Sequence, residues 1–115
     1  MSFEDGAVLG ECLSRIEGKG GLKHALRVYE KCRLERTTRV TERGNVQQFL
    51  YHLHDGVEQE ERDRRMRMCP PPPGEALAWR DSQLAPWLLG YDCFAAVEEH
   101  WDDLGDGGEV ATAKL

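Results

Sequence analysis

Four consecutive prolines, Pro70-Pro71-Pro72-Pro73, followed by Gly74, set the strongest limit on what this chain can fold into. Proline has no backbone N–H, and its ring collides with the preceding helical turn. The run is therefore a stiff, extended connector that no helix crosses. On either side of it the apolar spacing is helical.

Ser2-Phe3-Glu4-Asp5 fits a capping box, with Ser2 as the cap and Asp5 near the third helical position. Phe3, Leu9, Leu13 and Ile16 recur at near-helical spacing with Cys12 beside them, and Gly18, Gly20 and Gly21 stop the pattern. This predicts a first helix over about 3–17. Leu22, Leu26, Tyr29 and Cys32 form the stripe of a second helix that continues through Val40, Val46, Phe49, Leu50 and Leu53. It spans about 21–52, with Gly44 as the point where it would kink or divide.

His54-Asp55-Gly56 marks a turn. Val57 to Met68 then carries Glu58 before Arg62 and Glu61 before Arg65, the (i, i+4) pairs of a short exposed helix. Beyond the prolines, Leu84 to Leu89 leads to Gly90-Tyr91-Asp92 and a last helix over about 92–104, with Phe94, Val97 and Trp101 on one side. No segment reads as a strand. The expected fold is mainly α: an N-terminal helix, one long helix and short C-terminal helices over 1–104, then a disordered tail over 105–115.

Such a set of helices with long connections is a poor recipe for an independent bundle. Its 115 residues allow one small domain, and its mean hydropathy of −0.61 leaves little for a core. Either the core is thin, or part of the apolar surface belongs against something else.

Charge narrows the partners. The net charge is −6; fourteen of the fifteen basic residues precede Asp81, and Asp92 to Glu109 holds seven acids without a Lys or Arg. An acidic chain repels phosphate backbones, so nucleic acid is not an expected partner. No apolar run approaches the ~20 residues that span a bilayer. The acidic start, Met1 to Asp5, is unlike a signal or transit peptide, so the expectation is a cytoplasmic protein. Cys12, Cys32, Cys69 and Cys93 are then reduced thiols, too widely spaced for a zinc or redox motif.

Chemistry is sparse. No GxGxxG, GxxxxGK[ST] or GxSxG occurs, so no loop of this chain cradles a nucleotide phosphate. His52, His54 and Asp55 could be metal ligands, but the fourth is not evident and a structural role is the simpler account. His24 and His100 sit beside charged residues and read as surface groups. Arg33, Arg36, Arg39 and Arg43 share one side of the second helix. They form an anion-binding or docking stripe, or they pair with Glu30, Glu35, Glu42 or a neighbouring element. Trp79, Trp87 and Trp101 anchor either a core or an interface. No nucleophile–base pair or buried carboxylate pair can be assembled, so no catalytic, cofactor-binding or metal residue is assigned.

Four stretches resemble class A FAD-dependent monooxygenases of the salicylate-hydroxylase-like kind. Ser2-Phe3-Glu4-Asp5-Gly6-Ala7-Val8-Leu9 is similar to the helix that closes the family's flavin-contacting Gly-Asp motif, with Gly6 in place of the usual alanine. Ala25 to Thr37 resembles the family's "AL..YE..R..R" helix. Tyr51 to Gln59 resembles its "YHLPDG.EQ" connector, with His54 where proline is common, and Trp87 to Asp92 its terminal "W-L-x-G-Y-D" element.

The resemblance covers about 1–104 and implies a C-terminal portion. It implies FAD, NAD(P)H and O₂ for the whole enzyme, hydroxylation of an electron-rich aromatic ring, and a missing N-terminal FAD-binding portion as the partner. It further implies that the first helix aims its N-terminus, near Met1 and Ser2, at the flavin's pyrimidine edge. The family's dinucleotide-binding glycines have no counterpart here, so the chain alone is expected to bind no flavin. The rival reading is a small helical interaction protein that docks through the arginine stripe and the tryptophans, with the prolines as spacer.

Overall fold

The computed structural model describes residues 1–72 and 80–104. The tail at 105–115, Pro73 and Trp79 lie outside the described residues. Among the described residues there are five α-helices and no strand: α1 Ser2–Ser14, α2 Leu22–Tyr51, α3 Val57–Met66, α4 Leu84–Leu89 and α5 Cys93–Asp103. A short 3₁₀ turn, Lys19–Gly21, joins α1 to α2. The mainly α expectation holds. Pro70, Pro71 and Pro72 lie outside any helix, as their missing N–H groups require.

The 30 residues of α2 are free of proline and span about 45 Å at 1.5 Å per residue. The helix passes through Gly44 without a break, so the single long helix expected over about 21–52 holds.

The chain forms two compact units, Met1–Thr37 with Asp92–Leu115, and Thr38–Tyr91. In the first, α1 packs against α5 and the opening half of α2. Val8, Cys12, Ala25, Val28 and Val97 are wholly buried, and Cys32 nearly so; Ile16, Tyr29, Cys93, Ala96, Trp101 and Leu104 pack around them. Each buried valine contributes about 1.5–2 kcal/mol.

The buried face differs from the one the large apolar residues marked. Phe3 is 96% exposed, and Leu13, Leu22, Leu26 and Phe94 are exposed as well. Small residues at 8 and 12, at 25, 28 and 32, and at 97 face inward instead. On α2 the reason is visible one and two turns on. Arg33 and Arg36 are buried on the adjoining face, and their partners on α1 fix which side of each helix turns inward.

α1 ends three residues earlier than expected, at Ser14. The chain then closes tightly. A Cβ placed on Gly21 would lie 2.7 Å from Ile16 Cγ2, so only glycine lets Ile16 reach the core edge there. α5 starts where the pattern put it: Asp92 Oδ1 accepts from the backbone N–H groups of Phe94 and Ala95, both at 3.0 Å. Arg15 donates to Glu11 (2.9 Å) and Glu98 (2.6 Å) and lies 5.4 Å from the Trp101 ring, which His24 meets edge-on at 4.7 Å. His24 and His100 are therefore half-buried, where the sequence suggested surface.

In the second unit, α2 ends at Tyr51 and its last carbonyls are satisfied by side chains. Arg62 Nη1 donates to Leu50 O (2.6 Å), and His52 Nδ1 lies 2.8 Å from Gln48 O. That use of Arg62 displaces the expected Glu58–Arg62 pair, and Glu61 takes two bonds from Arg64. Arg39 lies 4.2 Å over the Trp87 ring, and Arg43 pairs with Asp81 at 3.1 Å. After α4, Gly90 N donates to Pro86 O at 2.9 Å, and a Cβ on Gly90 would stand 2.5 Å from that oxygen.

Candidate functional site

The first turn of α1 is the best-defined polar constellation in the first unit. Met1 occupies the cap position and makes no side-chain cap bond. The expected capping box is thus not formed: Ser2 is already helical, and Asp5 N donates to Met1 O at 2.9 Å. The acids of the box are engaged elsewhere.

Arg33 Nη1 donates to Glu4 Oε2 and Arg33 Nε to Asp5 Oδ1, both at 2.8 Å. Arg36 grips Glu4 with two bonds, Nε to Oε2 at 2.8 Å and Nη2 to Oε1 at 3.0 Å. Arg33 and Arg36 keep 3% and 5% of their exposure, whereas Glu4 and Asp5 open partly to water. The Thr37 hydroxyl donates back to Arg33 O at 2.9 Å.

Three consequences follow from this arrangement. The forked guanidinium contacts lock the start of α1 onto α2 in one orientation. The bonds from Arg36, with Arg33 behind them, outweigh the opposing effect of burial and hold the Glu4 carboxyl down at about 2. Finally, two carboxylates at a helix N-terminus would repel an arriving anion, but two guanidinium groups offset them formally. The leading N–H groups, which have no partner within the helix, are left as donors on the positive end of the dipole.

This end of α1 presents backbone donors on the positive end of the helix dipole. It carries no side chain placed to move a proton or form a covalent bond. The structure accordingly resolves the arginine stripe: Arg33 and Arg36 are buried and pair with α1 across the core, so they present no anion-binding surface. Trp101 serves the core edge of its unit, and Trp87 carries Arg39.

His52 is used at the end of α2, and His54 and Asp55 lie exposed in the following turn. Among the described residues no group of three or more His, Cys, Asp or Glu is placed to hold a metal ion. Burial pushes the Cys12 thiol up to about 11 and raises Cys32 as well, so neither is a ready nucleophile. Among the described residues no helix is long and apolar enough to cross a membrane.

The chain is 34% identical over 98 residues to the FAD-dependent monooxygenase OpS4 of Beauveria bassiana. The match takes in 84% of this chain but 23% of that protein, so the chain spans about a quarter of the length of the curated relative it matches. No family model matches the chain. No solved structure matches it either. The chain therefore carries sequence related to an FAD-dependent monooxygenase.

Of the pairings open to the arginine stripe, the one with a neighbouring element holds; its partners, Glu4 and Asp5, are not marked by the sequence, because the cap suggested for Ser2 and Asp5 is local and this contact is not.

Proposed function

We propose that this chain is the C-terminal helical portion of an FAD- and NAD(P)H-dependent monooxygenase of the class A, salicylate-hydroxylase-like kind, acting on an aromatic substrate. The observation that carries the reading is the first turn of α1. Its acids are neutralised by Arg33 and Arg36, and its backbone donors are oriented by the same contacts. The 34% identity to an FAD-dependent monooxygenase supports it.

The residues present fit one edge of a flavin, through the backbone at Ser2 and Phe3, and do not fit a whole FAD. A helix terminus contributes about 0.3–1 kcal/mol toward an exposed charge, far below what a diphosphate and adenosine need. Bound flavin would supply the oxygen chemistry. This chain would stabilise charge at the ring's edge, fix the orientation of α1 through Arg33 and Arg36, and cover part of the flavin-binding body. Alone, it turns over no substrate.

Two measurements test this. The transcript 5′ of the Met1 codon is expected to encode, in frame, a GxGxxG segment; a message with no such coding sequence would overturn the reading. Titrating the isolated chain with FAD should give no saturable micromolar quenching of flavin fluorescence, and tight uptake would contradict the assignment of a partial site. The rival, an interaction module docking through an arginine stripe, loses its main feature because Arg33 and Arg36 are buried in ion pairs.

A further inference from the structure

Pro70, Pro71 and Pro72 follow α3 within the Thr38–Tyr91 unit and lie outside any helix. The proline ring fixes φ at about −65°, close to the polyproline II value, so consecutive prolines favour that conformation. It makes no internal hydrogen bond and leaves its carbonyls to solvent or to a partner. Among the described residues, nothing donates a hydrogen bond to the carbonyl of Cys69, Pro70, Pro71 or Pro72.

The segment is anchored just ahead of the prolines. Arg67 closes α3, its backbone N–H donating to Asp63 O and Arg64 O, both at 3.2 Å. Met68 O accepts from Arg80 Nη2. Arg67, Met68, Cys69 and Pro70 are exposed, and Pro71 and Pro72 are half-buried. A connector needs stiffness alone. This one also stands at the surface directly after a helix end, with the cation of Arg67 three residues ahead of the first proline.

A proline segment loses little freedom on docking, and aromatic-lined grooves recognise it. A positive charge beside the prolines favours a groove with an acidic rim and disfavours a basic one.

We propose that Arg67 to Pro72 is a docking segment for a polyproline-binding domain of the SH3 type, whose aromatic groove takes the prolines and whose acidic rim takes Arg67. The proline chemistry and the charge of Arg67 together select this occupant. A second copy of the chain fits less well, because its net charge of −6 repels an equal charge. The proposal does not depend on the flavin reading.

The test titrates isotope-labelled SH3 domains with acidic groove rims against the full chain, followed by nuclear magnetic resonance. Saturable shifts confined to the groove are expected. No saturable shift in any domain of the panel would overturn the proposal.

Arg67→Glu reverses the charge at an exposed position and should weaken binding about tenfold or more. Pro70→Ala combined with Pro72→Ala should do the same. Binding undiminished in Arg67→Glu, or retained without the two prolines, refutes the segment as the docking site. Circular dichroism of each variant is compared with that of the parent chain. If the proline variant loses helix, the result with Arg67→Glu decides alone. Capture by a WW domain with no SH3 domain bound would refute the acidic-rim partner.

Discussion

Replacing Glu4 by glutamine removes the carboxylate that Arg33 and Arg36 share while keeping its shape. The effect can be sized from the structure. A carboxyl held at about 2 in the fold and near 4.5 when unfolded carries a linkage ceiling of roughly 3 kcal/mol. The Glu4 side chain keeps 26% of its exposure, so solvent screens part of that, and about 2 kcal/mol remains. Arg36 stays buried after the change with both of its bonds to Glu4 weakened, which places the loss above that of any surface pair.

Thermal melts followed by circular dichroism should show the variant melting roughly 6–10 °C lower at pH 7. The sign with pH is fixed. A depressed carboxyl stabilises the fold above its unfolded value and ceases to do so as pH falls through its folded value. The gap between wild type and Glu4→Gln should therefore be full at pH 7, shrink below about 4.5 and nearly close near 2. Glu61→Gln is the control, since its pair with Arg64 lies in water at both ends and should give no resolvable change. Coincident melts at pH 7, or a gap that does not change with pH, would refute the reasoning.

Other substitutions probe separate parts of the fold. Val97→Ala removes two buried carbons from the point where α5 meets the core and should cost about 2 kcal/mol in urea titrations. Asp92→Ala deletes the two cap bonds to Phe94 and Ala95 and should cost about 1 kcal/mol, read as faster amide exchange in the first turn of α5. Gly44→Ala adds a methyl group in open space within a helix and should stabilise the chain by about 0.5–1 kcal/mol, seen as a higher melting temperature.

Element type was legible because proline and periodicity act locally. The prolines exclude a helix at 70–72, the apolar stripe from Leu22 onward gives the long helix, and the last helix starts after Asp92 as its pattern indicates. The inward faces were not legible. Side-chain size pointed to Phe3, Leu22, Leu26 and Phe94, yet the helices come together on Val8, Cys12, Ala25, Val28 and Val97. What selects that face is a contact between positions 4–5 and 33–36, too distant in sequence for any periodic pattern to show. The same separation hid the candidate site. Ser2 to Asp5 looks like a self-contained cap, and an arginine stripe with interleaved glutamates does not say whether it pairs within its helix or with which neighbouring element.

The continuity of α2 has one more consequence. Starting a helix is costly and extending one is cheap, and here the starting turns are pinned by Ala25, Val28 and Cys32 within a true core. Residues past Thr38 are added to an existing nucleus, so they can stay coiled although, among the described residues, little is enclosed around them. On warming, such a rod should unzip backward from Tyr51 well before its opening turns let go, which would keep the far half of the helix poised between order and release.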